Sequence, residues 1–127
     1  MSHGKFATVI NCMDGRTQLP ANEWMKNEFK VDYVDTITEP GPNKILADDE
    51  DVESIKKRVL ISVQKHGSKN IAIVSHHDCA GNPVDKETQM KQLELAVKTV
   101  DSWGLNVNIT GLWVDESWKV ERVVFPR

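Results

Sequence analysis

Two short stretches carry residue types able to do chemistry: Cys12-Met13-Asp14-Gly15-Arg16 and His76-His77-Asp78-Cys79. Cysteine and histidine together are metal ligands or a nucleophile with its base, and each reading makes demands on the rest of the chain. Two thiolates and an imidazole suit zinc, and three protein ligands leave a fourth position for water or substrate. On that reading Cys12, His76 and Cys79 are the candidate ligands. The two residues between His76 and Cys79 let both side chains reach one ion from a turn. His77 then points elsewhere and is a polar neighbour. Asp14 and Arg16, two residues apart, can form a charge-assisted carboxylate–guanidinium contact. So held, Asp14 could accept a proton from a metal-bound water; released, it could fill the fourth position itself. The sequence leaves both arrangements open. The metal-free alternative has His76 or His77 activating Cys79 as a nucleophile.

The zinc reading needs both stretches at neighbouring strand ends. Lys5–Asn11 and Asn70–Ser75 are short apolar runs that predict buried strands, each ending at one stretch. Pro20 suits the first turn of a short helix carrying Trp24, Met25 and Phe29. Val31–Thr38 predicts a strand, and Glu39–Lys44, with its prolines and glycine, a loop. Val52, Ile55, Val59 and Val63 line one face of a helix. The acidic run Asp48–Asp51 is placed at its start, with Asp48 or Asp49 as cap, and Lys65, His66 and Gly67 at its end. Met90, Leu93, Val97 and Val100 predict another helix, stopping at Gly104. Asn106–Val114 and Trp118–Phe125 predict two closing strands, joined by a turn at Asp115–Ser117 and antiparallel to each other. Strand–helix alternation implies an α/β fold: three layers around a mainly parallel sheet of about five strands, the last antiparallel. Ligands bind such sheets beyond the carboxyl ends of the strands, where the strand order reverses.

The bulk properties agree with one domain over residues 1–127. Hydrophobic residues make up 39% and charged residues 28% of the chain, and the net charge is −3. No basic stripe or long apolar run points to nucleic acid or to a membrane. The start of the chain has no signal-peptide pattern, so a cytoplasmic location with reduced thiols is expected. His66 is a helix-end residue and His3 has no assigned role. Trp103, Trp113 and Trp118 are expected in the core or in subunit contacts.

Cys-x-Asp-x-Arg after a first strand and His-x-x-Cys after a third resemble the zinc-site signature of β-class carbonic anhydrases. The likeness extends through "VLISVQKHGSKNIAIVSHHDC" and the closing "VNITGLWVDESWKVERVV", most of Phe6 to Val124. The resemblance implies that Cys12, His76 and Cys79 bind Zn2+, with Asp14 and Arg16 as a gatekeeping catalytic pair. It implies reversible hydration of carbon dioxide to bicarbonate by zinc-bound hydroxide, in a homodimer or higher homo-oligomer. Hydrolysis of carbonyl sulfide or carbon disulfide, or zinc binding without catalysis, are the alternatives. The chain departs from the family in having Ala80-Gly81-Asn82-Pro83 after the second motif and "TITEPGPNK" after the second strand. Four residues precede its first strand, where the family carries a helical arm.

Overall fold

In the computed structural model, which describes residues 4–125, nine elements follow one another. They are β1 (Phe6–Cys12), α1 (Gly15–Phe29), β2 (Tyr33–Glu39), α2 (Pro42–Asp48), α3 (Glu53–His66), β3 (Asn70–His76), α4 (Lys86–Asp101), β4 (Asn108–Val114) and β5 (Val120–Val123). His3 lies outside the described residues. The strands form one sheet in the order β2-β1-β3-β4-β5. Every pairing is parallel except β4 with β5. The α/β architecture expected from the sequence is therefore present, antiparallel last strand included.

β1 and β3 lie in the middle of this sheet and are buried on both faces. Val9, Ala72 and Val74 face α1, packing with its Ala21 and Met25. On the other face, Ile10, Ile71 and Ile73 pack with Leu46 of α2, Ile55 and Val59 of α3, and Leu93 and Val100 of α4. Helices thus cover both faces, and alternate residues of one strand serve two cores. The chain leaves β1 toward β2 by α1 and returns across β1 to β3 by α2 and α3. That reversal puts the carboxyl ends of β1 and β3 side by side at the switch point.

Four local expectations are corrected. The first helix starts at Gly15, and Pro20 is its sixth residue. The Asp14 carboxylate caps the helix, accepting from the Arg16 N–H at 2.9 Å. That cap starts the helix ahead of the proline. The loop predicted at Glu39–Lys44 gives way at Pro42 to α2, which runs to Asp48 and buries Leu46 fully. The acidic run closes that helix and does not open the next. Asp49 is its C-cap at φ 51°, Asp48 pairs with Lys44 at 2.7 Å, and α3 begins behind Val52 with no side-chain cap. The last strand is shorter than Trp118–Phe125, because Trp118 sits in the turn at φ 61°. Gly67 ends α3 in the left-handed conformation, as expected.

Candidate metal centre

The carboxyl ends of β1 and β3 bring Cys12 and His76 together, and the turn after β3 folds Cys79 back onto them. The ligand atoms of these three buried residues all lie within 4.8 Å of one another. The two sulfurs, from residues 67 positions apart, are 3.8 Å apart. Two sulfurs each about 2.3 Å from a tetrahedral zinc ion stand about 3.8 Å apart, so this spacing fits such an ion. Neither cysteine is in a disulfide.

His76 is 1% exposed, and its Nδ1 is 2.7 Å from the carbonyl oxygen of His77. A carbonyl only accepts, so Nδ1 carries the proton and Nε2 is left with a lone pair. Among the described residues Nε2 has no hydrogen-bond partner. A buried acceptor without a donor is costly, and a metal ion beside the two sulfurs relieves that cost. Gln89 Nε2 donates to the backbone carbonyl of His76 at 2.9 Å, tying the strand end to α4. The donor set, its tautomer and its spacing all fit a bound metal.

The two thiols titrate in opposite directions. Burial alone would raise both. At Cys12 the adjoining His76 ring and the backbone N–H groups of Gly41 and Asp14 outweigh burial and lower the pKa. At Cys79 burial wins, helped by the charge of Cys12, despite the N–H groups of Gly81 and Asn82. His76 is raised, because contact with Cys12 and the His77 carbonyl outweighs its burial. Cys79 is 4% exposed, which leaves its sulfur little access to a substrate as a nucleophile.

Asp14 and Arg16 form the expected contact. Arg16 Nε lies 3.1 Å from Oδ1 of Asp14, and Nη2 lies 2.7 Å from Oδ2. The guanidinium, chiefly through these hydrogen bonds, holds the Asp14 carboxyl down at about 2. Asp14 lines the same cleft as Cys12 without being part of the Cys-His-Cys cluster. Gln18 Nε2 fixes the turn between them, donating to the carbonyls of Cys12 and Asp14 at 2.7 and 3.1 Å.

The cleft has a volume of about 530 Å³, and Met13, Gly15, Pro40, Ala80 and Gly81 complete its lining. His77 lies outside the cluster, its ring edge-on to Trp118. Trp113 is buried as expected, and Trp103 and Trp118 are partly buried against the two cores. Sequence reasoning missed three contributors. Gln18 and the Gly41 amide lacked any visible signal, and Asp78, which contacts Arg16, was hidden inside the second motif.

Residues 2–124 match the model of a protein family described as "Putative carbonic anhydrase". No curated protein sequence gives a significant match. Among solved structures, β-carbonic anhydrase isoform I of Trichomonas vaginalis is 18% identical, with a TM-score of 0.64 over 92% of this chain and 81% of that one. Wild-type β-carbonic anhydrase CafD of Aspergillus fumigatus is 16% identical, with a TM-score of 0.62 over 97% and 91%. One of two tetrameric β-carbonic anhydrases of Sordaria macrospora is 11% identical, with a TM-score of 0.64 over 98% and 83%. At these identities the structures establish the shared fold. With a family match across nearly its whole length and a Cys-His-Cys cluster at the switch point of a β-carbonic anhydrase fold, this chain belongs to the carbonic anhydrase-like family described by that model.

Proposed function

We propose that residues 1–127 act as one carbonic anhydrase-like domain in which Cys12, His76 and Cys79 bind Zn2+. Its reaction is the reversible hydration of carbon dioxide to bicarbonate, with Asp14 and Arg16 as the catalytic pair. The observation that carries this reading is the buried Nε2 of His76, without a hydrogen-bond partner among the described residues, beside two sulfurs 3.8 Å apart. Thiolate and imidazole donors favour zinc over the oxygen-loving cations. Zinc bound there would acidify a water molecule in the open position and so supply a nucleophile near neutral pH.

The chain does the rest. Backbone N–H groups at each sulfur stabilise the thiolates, and the His77 carbonyl fixes the His76 tautomer. Arg16 keeps Asp14 ionised and oriented as a hydrogen-bond acceptor at the rim of the cleft. Met13, Pro40 and Ala80 offer apolar contact, which suits a small neutral molecule. Carbonyl sulfide and carbon disulfide satisfy the same lining and are the alternative substrates; zinc binding without catalysis is the other alternative. We further propose a cytoplasmic homodimer or higher homo-oligomer. Among the described residues no helix is long and apolar enough to cross a membrane.

The test is zinc content by elemental analysis with stopped-flow hydration on the same sample. About one zinc per chain is expected. Asp14→Ala should retain the metal and lose roughly 10- to 100-fold in rate, the usual cost of losing such a supporting group. Zinc without hydration would reject carbon dioxide as substrate and favour an alternative.

A further inference from the structure

Arg16 is restrained on three sides although its side chain is 47% exposed. Asp14 holds one edge of the guanidinium. Asp78 holds the other, its carboxylate 3.3 Å from Nη1 and its backbone carbonyl 3.1 Å from Nη2. The indole of Trp118 takes the flat face, with Cζ 4.5 Å from the ring centroid. Guanidinium over a tryptophan face is an attractive arrangement in its own right.

The backbone that presents these two partners is unusual. Asp78 and Trp118 both have positive φ, 58° and 61°. Aspartate tolerates that region, but a bulky side chain there is a steric outlier, and glycine is the residue that enters it freely. The turn is over-determined by Asp115. Its Oδ1 accepts from the N–H groups of Ser117 at 2.9 Å and Lys119 at 3.0 Å, and its carbonyl accepts from the Trp118 N–H at 2.9 Å. A strained conformation held this firmly points to a task for the side chain it displays. The displayed side chain lies against Arg16.

We propose that Trp118, together with Asp78, is a positioning residue that holds Arg16 and thereby keeps the Asp14 carboxylate away from the metal's fourth position. This rests on the zinc reading above. Asp14 is two residues from Cys12 and lines the same cleft, so a carboxylate released by the Arg16 guanidinium keeps only its cap to the Arg16 N–H and is free to turn toward the cluster. The sheet's closing hairpin, distant in sequence from both motifs, thus sets whether the site is open.

Two measurements test the clamp, one without metal. In the zinc-free protein the 15N–1H resonance of Arg16 Nε should be resolved and slow to exchange. Trp118→Gly, which relieves the backbone, should return it to the position of free arginine, as should Asp78→Ala. Trp118→Phe keeps an aromatic face and should keep the resonance. In the cobalt(II)-loaded protein, thiocyanate should perturb the visible spectrum by entering the fourth position. If Trp118→Gly leaves the open form only about one-tenth populated, apparent thiocyanate affinity falls about tenfold. Trp118→Phe should stay near wild type. A wild-type Arg16 resonance in Trp118→Gly would overturn the clamp. A lost resonance with unchanged thiocyanate affinity would overturn its link to the metal position. Failure of the wild type to take up cobalt would reject the zinc reading and the clamp's purpose with it, while the resonance would still report whether Trp118 holds Arg16.

Discussion

Gly81 lies so close to Pro40 that a Cβ on it would stand 2.7 Å from the Pro40 carbonyl carbon. Gly41 meets Asn82 in the same way, at 2.8 Å, and its φ of 64° adds a second reason for glycine. These paired loops form one wall of the cleft, just beyond Cys79.

Gly81→Ala should therefore force the loops apart. The nearest obstacles include backbone atoms, which cannot turn aside as a flexible side chain would. A cost of about 1–3 kcal/mol is expected from such overpacking, measured by urea unfolding of the zinc-free protein. Weaker zinc retention in competitive dialysis should accompany it. Wild-type values for both would show that the loops part freely.

Cys12→Ser and His76→Ala should each lose stoichiometric zinc, since each removes one of three ligands. Both should keep native far-UV circular dichroism, because the two hydrophobic clusters are built without the site. Removing zinc from the wild type with a chelator should lower the melting temperature without unfolding the chain. The loss should grow with the free zinc of the reference sample, by about 2.7 kcal/mol at a hundred times the dissociation constant. Full zinc in Cys12→Ser would remove Cys12 from the ligand set.

The Asp14 cap gives a pH dependence whose sign is fixed. Its folded pKa is depressed, chiefly by Arg16, from 3.8 to about 2. The ionised form is thus favoured in the folded state, and its contribution is complete above the unfolded value. It falls away as pH drops through about 2. In zinc-free protein, Asp14→Ala should cost about 0.5–2 kcal/mol near neutral pH, the usual range for a lost N-cap. The gap to wild type should narrow between those two pKa values in urea titrations. A gap that widens on acidification would refute the assignment.

Leu46→Ala tests whether α2 belongs to the core. Leu46 is fully buried, and its carbonyl accepts from Thr99 Oγ1 on α4 at 2.8 Å. A loss of about 2–5 kcal/mol is expected in denaturant unfolding. A loss below about 0.5 kcal/mol, typical of surface positions, would show α2 to be a peripheral turn.

What the sequence made legible follows from where local and long-range forces agree. β1 and β3 were readable because strands buried on both faces are apolar at nearly every position, and α3 because its valines and isoleucine repeat at helical spacing. α2 was not, because its seven residues start with Pro42 after a glycine and take their stability from packing against α4. The aspartates around its end resembled a helix start, yet Asp49 uses its tolerance for positive φ to stop one. The Cys-His-Cys cluster was visible because its members sit inside two compact motifs. The Trp118 contact was not, because no local pattern records that a closing hairpin folds over a residue 102 positions earlier.

The 67-residue separation of Cys12 and Cys79 also has a consequence for biosynthesis. At about 5–20 residues per second, Cys12 leaves the ribosome roughly 3–13 seconds before its partner thiol. Until β3 emerges near the end of that interval, the first half of the site is a lone cysteine on a strand with only β2 to pair with. On the zinc reading, capture by both sulfurs waits for β3 and the turn behind it. A metal that bridges the two sulfurs closes a loop of more than half the chain, and so acts as a cross-link set after the fold has formed.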